Sequence, residues 1–485
     1  MKTNEGKLRS KVFSGLVWSF SEQFISQIVS FLLSVVLARL LLPEEYGTVT
    51  MVLVFINIAN VFVTNGFGEA LIQKKNSTED DFSTIFYCSV FVSLLLYLVL
   101  YLAAPMIASF YSSQELVLVL RVLALKLPIA SINSIQRAYV QKHMQFKKVF
   151  FATFGGTVFS GVLGIILAYN GYGVWALVAQ YMSLACISTV VMFVTVSWKP
   201  RLVFSFDSAL ELLKYAWKLT AASLINTVYN ELRSLIIGKK YSTADLAFYN
   251  KGNHIPSLAI TNINNAISTV MFPAMSQTND QKEKLKSISR RSMKVTAYII
   301  FPIMAGLIGI GEPLIRVLLT EKWMPAVPYL YISCLYWACQ PVQTTNWQII
   351  KAMGRSDLAL KLEIYKKIIG FALIAVSIPF GVRAIAASNV VFAFISMLIN
   401  IIPNKKLIGY SIQEQFSDLA SSFVSSIIMG AIVLCVGNLP INDILLIGLQ
   451  VIVGVCSYLT LSVLLKIDSF YYIRGVLEGA VSGRR

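Results

Sequence analysis

Charged residues are scarce in this chain: of 485 residues only 13% are charged, whereas 56% are hydrophobic and the mean hydropathy is +0.69. Soluble domains carry roughly a quarter charged residues, so this composition excludes an ordinary soluble domain and predicts a polytopic membrane protein. Acidic residues are scarcer than basic ones, with 24 Asp and Glu against 41 Lys and Arg. Long hydrophilic stretches are also missing, which excludes a soluble catalytic or nucleotide-binding domain.

Motifs for metal, nucleotide and nucleophilic chemistry are missing as well. The six cysteines have neither CxxC nor zinc spacing, and we interpret them as small buried hydrophobic residues without disulfides. The patterns GxxxxGK(S/T) and HExxH and a nucleophile elbow do not occur, so ATP hydrolysis and hydrolase activity are not predicted. We therefore expect no cofactor, no metal and no enzyme activity. The basic run 281–294 is interpreted as a solvated cytoplasmic helix, so no nucleic-acid partner is expected.

Apolar runs of about 20 residues, long enough to cross a bilayer, occur about fourteen times. They span roughly residues 15–41, 46–65, 82–104, 115–135, 149–169, 174–196, 210–237, 254–275, 293–319, 326–350, 364–381, 385–402, 417–437 and 443–466. The predicted fold class is an all-α polytopic membrane protein with about 14 transmembrane helices. Alternate loops hold roughly 30 of the 41 basic residues, which predicts that both termini are cytoplasmic.

An internal repeat divides these spans. The helix before LLPEEYG resembles the helix before YSTADLAFYNKG, and other positions correspond at a similar spacing. The aligned pairs include Trp18 with Trp217, Gln27 with Asn226, Pro105 with Pro313, and Gly173 with Gly381. We predict two pseudo-symmetric six-helix lobes, 1–205 and 206–408, followed by a C-terminal helix pair and cytoplasmic tail, 409–485. Parallel repeats of this kind are typical of transporters that bind substrate between the copies.

The seventh span carries a polar stripe. At about 100° per residue, five of its polar residues fall within roughly 120° of one another. They are Lys218, Asn226, Tyr229, Asn230 and Arg233. Glu231 falls outside this arc and is expected to face a different partner. The first span has a polar side of its own, on which Gln27 is a substrate-binding candidate and Glu22 a coupling candidate.

Two cations interrupt the fourth span. Lys126 lies on the order of 16 Å deep at 1.5 Å per residue, whereas Arg121 lies nearer the outer face. An ionisable group near the bilayer centre costs about 2.5–3.5 kcal/mol on insertion scales, so it normally faces a cavity or a partner. The full set of substrate-binding candidates is Lys126, Arg121, Lys218, Asn226, Asn230, Arg233 and Gln27. The residues themselves indicate a secondary transporter with a cationic lumen for an anionic, hydrogen-bonding substrate.

Four stretches carry a resemblance to a known family: SVVLARLLLPEEYG, GFGEALIQ, NELRSLIIGKKYSTADLAFYNKG and VMFPAMSQ. The chain resembles the polysaccharide transporters of the multidrug/oligosaccharidyl-lipid/polysaccharide flippase superfamily, in the branch of O-antigen and colanic-acid flippases. The resemblance implies alternating access through a central cavity and transfer of an undecaprenyl-pyrophosphate-linked oligosaccharide across a bacterial inner membrane. The implied partners are this substrate, membrane lipids and other polysaccharide-assembly proteins.

Three alternatives stay open from the sequence. A drug or cation antiporter of the same superfamily would need acidic lumen residues, and here the deep basic residues outnumber Glu22 and Glu231. A membrane-embedded glycan polymerase or glycosyltransferase would need a large outer loop or an acidic catalytic site. A scaffold with the same fold that transports nothing is the third alternative.

Overall fold

In the computed structural model, which describes Trp18 and residues 24–64, 67–74, 77–278 and 280–481, every regular element is a helix. The chain divides into two units, Met1–Ala247 and Phe248–Arg485. The first unit contains α1 (Phe24–Leu40), α2 (Pro43–Thr64), α3 (Phe67–Gln73), α4 (Glu79–Tyr111), α5 (Glu115–Ala124), α6 (Lys126–Lys142), α7 (Phe146–Tyr169), α8 (Val174–Thr195), α9 (Phe206–Lys240) and the start of α10 (Thr243–Ser276).

The second unit begins within α10 and continues in helices of similar length. They are α11 (Lys282–Gly309), α12 (Gly311–Leu319), a 3-10 turn (Glu321–Ala326), α13 (Val327–Ala338), α14 (Gln340–Ala352), α15 (Ser356–Ser377), a 3-10 turn (Ile378–Phe380), α16 (Val382–Ile408), α17 (Ile412–Val436), α18 (Asp443–Leu464) and α19 (Asp468–Val481). Eight helices of the described residues are long and apolar enough to cross a membrane. These helices confirm the all-α polytopic class, whereas the number of spans stays a prediction.

The two turns that the predicted repeat aligns, both within the first unit, have similar backbone hydrogen bonds. Residues 41–42 separate α1 from α2, and residues 241–242 separate α9 from α10. In the first turn the Leu42 amide donates to Glu45 at 2.7 Å, and in the second the Ser242 amide donates to Asp245 at 3.3 Å. Each acidic residue caps the helix that follows, since it accepts from an amide before the first turn. The two turns therefore share one type of helix cap.

Two predicted spans are broken near their middle, at corresponding places of the two units. The amide of Leu125, between α5 and α6, donates to the Val122 carbonyl at 3.2 Å, and Cys339, between α13 and α14, donates to Tyr336 at 3.2 Å. A proline follows each break, at Pro128 and at Pro341, where its missing N–H is tolerated in the first turn of a helix. Interrupted spans in corresponding positions of two repeats are the usual location of a transporter's binding site.

The cysteines correct one expectation. All six are free thiols, as predicted, but only Cys334 is buried. Cys186, Cys435 and Cys456 are exposed, because they lie on apolar outer helix faces rather than in a core. Exposed neighbours such as Leu434 and Val455 have the same apolar character. The sequence could not separate a lipid-facing cysteine from a buried one, since both stand in apolar runs.

The turns give a test of topology. We expect reporter fusions after Gly173 and Gly381, which both end a turn with a positive φ, to be periplasmic. Fusions after Gln145 and Gly409 should be cytoplasmic. One predicted span separates Gln145 from Gly173, and one separates Gly409 from Gly381. Paired alkaline phosphatase and green fluorescent protein fusions measure the two sides. A cytoplasmic signal at Gly173 would contradict both the span count and the repeat.

Candidate cationic site

The helix α9 is 35 residues long and is held at both ends within the first unit. Near its start, Lys74 donates to Glu211 at 3.0 Å, and this hydrogen bond raises the pKa of the Lys74 ammonium. Near its end, the Tyr111 hydroxyl donates to the Leu235 carbonyl at 3.4 Å. A Cβ atom added to Gly238 would lie 2.8 Å from Met51 of α2, so the two helices pack closely there. These contacts fix the height and rotation of the polar part of α9.

Arg233 is the most enclosed cation of α9. It is 5% exposed, and its Nε and Nη2 atoms are buried without a hydrogen-bond partner among the described residues. Its guanidinium carbon lies 5.6 Å from the centre of the Tyr229 ring, and Tyr229 is 3% exposed. A cation–π contact stabilises the charge but does not satisfy planar N–H donors. Arg233 therefore presents unused donors in the geometry that binds phosphate or carboxylate oxygens.

The rest of the predicted α9 stripe divides between surface and interior. Asn226 and Asn230 are exposed, in contrast to Tyr229 and Arg233. Glu231 accepts from Asn57 of α2 at 3.0 Å, which confirms that it faces a different partner. Lys218 lies on α9, but its side chain is outside the described residues, and Glu22 is outside them entirely. Gln27 is half-buried on α1.

Lys126 is the first residue of α6, directly after the break in the fourth span. Its side chain is half-buried, and Nζ lies 4.9 Å from the centre of the Tyr181 ring of α8. No described carboxylate forms an ion pair with Lys126, Arg137 or Arg233. A cation within a membrane span that has no described carboxylate as a partner is a favourable position for an anionic ligand.

Lys126 also heads a polar face that follows α6. At about 100° per residue, Lys126, Asn133, Arg137 and Gln141 lie within about 80° of one another. The face extends about 22 Å at 1.5 Å per residue. Arg137 donates to Thr153 of α7 at 3.0 Å, and Asn133 donates to Ser188 of α8 at 3.3 Å. This arrangement, which we call the α6 track, combines two cations with amides along one helix.

A polar cavity of about 390 Å³ opens on the α6 track. Its lining residues come from α6 and from the neighbouring ends of α2 and α3: Thr64, Gly68, Ile72, Ala130, Asn133, Ser134, Arg137, Ala138 and Gln141. The Oδ1 atom of Asn133 is buried without a hydrogen-bond partner. This cavity was not predicted, because the count of basic residues in the loops, from which the topology is predicted, includes Arg137. The i, i+4, i+8 spacing of Asn133, Arg137 and Gln141 was the signal that could have found it.

Arg121 is placed differently from Lys126. Its Nε donates to the Tyr101 carbonyl of α4 at 3.3 Å, and its guanidinium carbon lies 4.2 Å from the Tyr101 ring centre. Tyr101 is itself 37% exposed, next to the exposed Leu102. The structure therefore ties Arg121 to the surface of α4 and gives no contact between it and Lys126.

The helices α6 and α9 have neighbours in common, since both pack against α2, α3 and α4. The first unit thus holds Lys126, Arg137 and Arg233 on two helices that share these neighbours. Together these side chains offer fixed cations, and Asn133, Asn226 and Asn230 offer amides. Among the described residues, no group of three His, Cys, Asp or Glu side chains could hold a metal ion. Cations next to amides can bind an anionic group that has hydroxyl groups beside it.

Comparisons with known proteins show which family the chain resembles. Residues 36–328, which include Lys126, Arg137 and Arg233, match the family described as "Polysaccharide biosynthesis protein". The chain is 24% identical to teichuronic acid biosynthesis protein TuaB of Bacillus subtilis (strain 168) over 436 residues, which cover 88% of this chain and 89% of TuaB. It is 22% identical to lipopolysaccharide biosynthesis protein WzxC of Escherichia coli (strain K12) over 430 residues, 87% of this chain and 86% of WzxC.

A solved structure has the same fold. The chain superposes on the inward closed conformation of the lipid II flippase MurJ with a TM-score of 0.77 at 15% sequence identity. The superposition covers 93% of this chain and 99% of MurJ. The all-α polytopic fold is therefore confirmed over nearly the whole chain.

Proposed function

The chain belongs to the polysaccharide biosynthesis protein family, and from this premise we propose that it is a flippase for a lipid-linked oligosaccharide. The proposed substrate is an undecaprenyl-pyrophosphate-linked repeat unit of a surface polysaccharide, moved from the cytoplasmic to the periplasmic leaflet of a bacterial inner membrane. Two observations support it: relatives are named for teichuronic acid and lipopolysaccharide biosynthesis, and the fold is that of a lipid flippase. The same comparisons agree with the prediction that the chain is not an enzyme.

The observation that carries the proposal is the buried Arg233 with its two unused donor nitrogens. Burying a charge without hydrogen-bonding partners is costly, so a protein that keeps one in a membrane gains something from it. A pyrophosphate offers several charged acceptor oxygens, and arginine binds such oxygens in a fixed fork. We assign the pyrophosphate to Arg233 and to the α6 track.

The same residues give a physical account of translocation by alternating access. A pyrophosphate cannot cross hydrocarbon without compensating charge, and the α6 track places Lys126 and Arg137 at two depths along one helix. The amides of Asn133, Asn226, Asn230 and Gln27 would exchange hydrogen bonds with sugar hydroxyls. Lys218 stays a candidate for the anion and Glu22 for coupling. Without a nucleotide site in the sequence, the energy is expected to come from an ion gradient or from the substrate gradient.

The charge of the site weighs against a drug or cation antiporter. An organic cation would be repelled by Lys126, Arg137 and Arg233, since like charges in a medium of low dielectric constant repel strongly. Glu231, a carboxylate on α9 like Arg233, already accepts a hydrogen bond from Asn57 at 3.0 Å. The short connections between helices also leave no room for the outer loop of a glycan polymerase.

A vesicle assay tests the function. The purified chain is reconstituted with a fluorescent undecaprenyl-pyrophosphate oligosaccharide, and the fraction of substrate accessible from outside is measured over time. We expect the substrate to equilibrate between the two leaflets without ATP. A cationic dye that is not attached to a lipid should not be transported. Transport that strictly requires added ATP, or transport of the dye alone, would overturn the proposal.

A lysine pair tests the α6 track. Replacing Lys126 with glutamine should lower the flipping rate about tenfold, because a charge-assisted hydrogen bond contributes about 1.5–3 kcal/mol. Lys199 is the matched control, since its Nζ also lies over an aromatic ring, 4.4 Å from the centre of Phe193, but it is exposed after α8. Lys199→Gln should leave the rate unchanged. Equal rates for both variants at equal membrane abundance would remove Lys126 from the site.

A further inference from the structure

A second basic cavity, of about 490 Å³, lies within the second unit where α11 meets α19. It shares no residue with the site described above. Its lining contains four cations, two carboxylates and three other residues with polar groups: Lys286, Arg290, Arg291, Lys294, Glu283, Asp468, Ser287, Ser469 and Tyr472, together with Val295. The cavity stands at the start of α11, the end that the distribution of basic residues places at the cytoplasmic surface.

Three of its cations are fixed by ion pairs. Lys286 pairs with Glu414 at 2.7 Å, and Lys294 pairs with Asp468 at 3.0 Å. Arg290 donates to both carboxylate oxygens of Asp418, at 2.7 and 2.6 Å. Asp418, which also accepts from the Tyr410 hydroxyl at 2.7 Å, has a side chain only 4% exposed. The cavity therefore has a rigid floor whose charges are already compensated.

Arg291 is the exception. It is exposed, and no described carboxylate pairs with it. Its guanidinium carbon lies 4.9 Å from the Tyr472 ring centre, so the aromatic contact positions the fork without occupying its N–H donors. Such a fork matches the two free oxygens of a phosphodiester. Glu283 is the one lining carboxylate without a described ion pair, and it would oppose an anion.

The surroundings of the cavity are those of a membrane surface. Phe470 and Ile473 of α19 pack onto the core that contains Tyr298 and Ile467. Tyr471 and Val476 of the same helix are 46% and 55% exposed. Aromatic residues with a polar tip are typical of the membrane–water interface. The preceding helix, α18, ends beside the cavity with an exposed apolar face that includes Leu459, Val463 and Leu464.

We infer that this cavity binds the phosphodiester headgroup of an anionic phospholipid from the surrounding bilayer. Arg291 contacts the phosphate, and the acyl chains lie along the exposed apolar face of α18. Basic cavities at the cytoplasmic ends of membrane helices are a known type of anionic-lipid site. The site would link α11, α17 and α19 to the lipid composition of the leaflet. It does not depend on the proposed transport function.

Native mass spectrometry of the purified full chain tests this inference, with phosphatidylglycerol and phosphatidylcholine as probes. We expect phosphatidylglycerol to be retained in preference to phosphatidylcholine. Arg291→Gln should reduce phosphatidylglycerol binding about tenfold, since a charge-assisted hydrogen bond to phosphate is lost. Glu283→Gln should increase it, because an opposing charge is removed. Lys284→Gln, an exposed lysine of α11 that does not line the cavity, should leave binding unchanged.

Three results would overturn the inference that the cavity binds an anionic phospholipid. Equal retention of the two lipids, or equal losses in the Arg291 and Lys284 variants, would overturn the inference. Displacement of phosphatidylglycerol by millimolar inorganic phosphate would assign the cavity to free anions instead of lipid and would also overturn it. Gel filtration of each variant shows that a loss of binding is not a loss of fold, which is expected because Arg291 and Glu283 are exposed.

Discussion

Replacing Arg233 with alanine should lower oligosaccharide flipping tenfold to a hundredfold while membrane abundance stays near that of the parent chain. The loss corresponds to about 1.5–3 kcal/mol for a charge-assisted hydrogen bond to a phosphate oxygen. Arg233→Glu should be worse than alanine, because a carboxylate repels the pyrophosphate in a medium of low dielectric constant. Surface-polysaccharide complementation, measured beside immunoblots of the membrane fraction, gives both quantities.

The Arg233→Lys variant distinguishes the contribution of the positive charge from that of the planar guanidinium geometry. If two N–H groups of the guanidinium bind the pyrophosphate together, Arg233→Lys should keep little activity, because an ammonium cannot form the planar fork. Partial activity would indicate that charge is the main contribution. If Arg233 has only a structural role, the expected result is the opposite. Replacement by alanine should then lower protein abundance first and leave the activity per molecule unchanged.

Two other arginines serve as controls for Arg233. Arg383, exposed at the start of α16, should tolerate alanine without loss of transport. Arg121 also stands over a tyrosine ring, but its Nε already donates to the Tyr101 carbonyl at 3.3 Å. We therefore expect a smaller loss for Arg121→Ala than for Arg233→Ala. Full polysaccharide export by an abundant Arg233→Glu variant would contradict the cationic site.

Much of the fold could be predicted because a bilayer imposes simple lengths and patterns on a sequence. Apolar runs of about 20 residues predict membrane spans, and the order of these spans predicts a repeat. The breaks at Leu125 and Cys339 were not predicted, since the apolar runs continue through them. The short helices α3 and α19 were missed for a different reason. Their apolar residues are too few to span a membrane, and only packing reveals them.

The division of the chain shows how packing adds to pattern. The sequence predicted a boundary between residues 205 and 206, where the repeat begins again. The helix α9 packs along α2, α3 and α4, and the division by contacts falls after Ala247. The start of α10 also packs closely on α2, since a Cβ at Gly47 would lie 1.9 Å from the Thr243 carbonyl oxygen. A repeat defines which segments are related, but it does not define which segments touch.

The candidate site was predicted in part. Lys126 stood out because an isolated cation is costly at its depth in a membrane, and Arg233 because it shares a polar stripe with Asn226 and Asn230. The exposure of Asn226 and Asn230 and the burial of Tyr229 could not be derived from helical angles, since neighbouring helices cover α9 unequally along its length. Arg137 was assigned to a loop by charge counting, although α6 continues to Lys142 and keeps it on the same face as Lys126.

The sequence also gave no sign of a buried amide cluster in the second unit. Asn346 of α14 and Gln415 of α17 exchange two hydrogen bonds, at 2.8 and 3.1 Å. Asn404 of α16 donates to the Asn346 Oδ1 atom at 2.6 Å. Asn346 and Asn404 are 0% exposed, and Gln415 is 1% exposed. These amides are far apart in the sequence, so no local pattern connects them.

Replacing Asn346 with alanine should destabilise the second unit strongly. Each buried polar group left without a partner costs about 1–3 kcal/mol. The Gln415 amide loses both of its Asn346 bonds and keeps only a 3.4 Å bond to the Tyr410 carbonyl. Asn404 loses its 2.6 Å bond but keeps two backbone carbonyls, of Asn346 and Asn400. We expect a total of about 2–4 kcal/mol, measured as a lower midpoint in fluorescence-detected gel filtration after heating.

A double variant distinguishes hydrogen bonding from volume. Asn346→Leu should be as destabilising as alanine, because the Gln415 amide is again unpaired. Adding Gln415→Leu should restore much of the midpoint, since two apolar groups of similar size leave neither partner unsatisfied. Asn438→Ala, at an exposed position after α17, should have no effect. If the double variant were no more stable than Asn346→Leu alone, the cost would come from cavity formation or steric misfit. The amide pair would then contribute no specific coupling between α14 and α17.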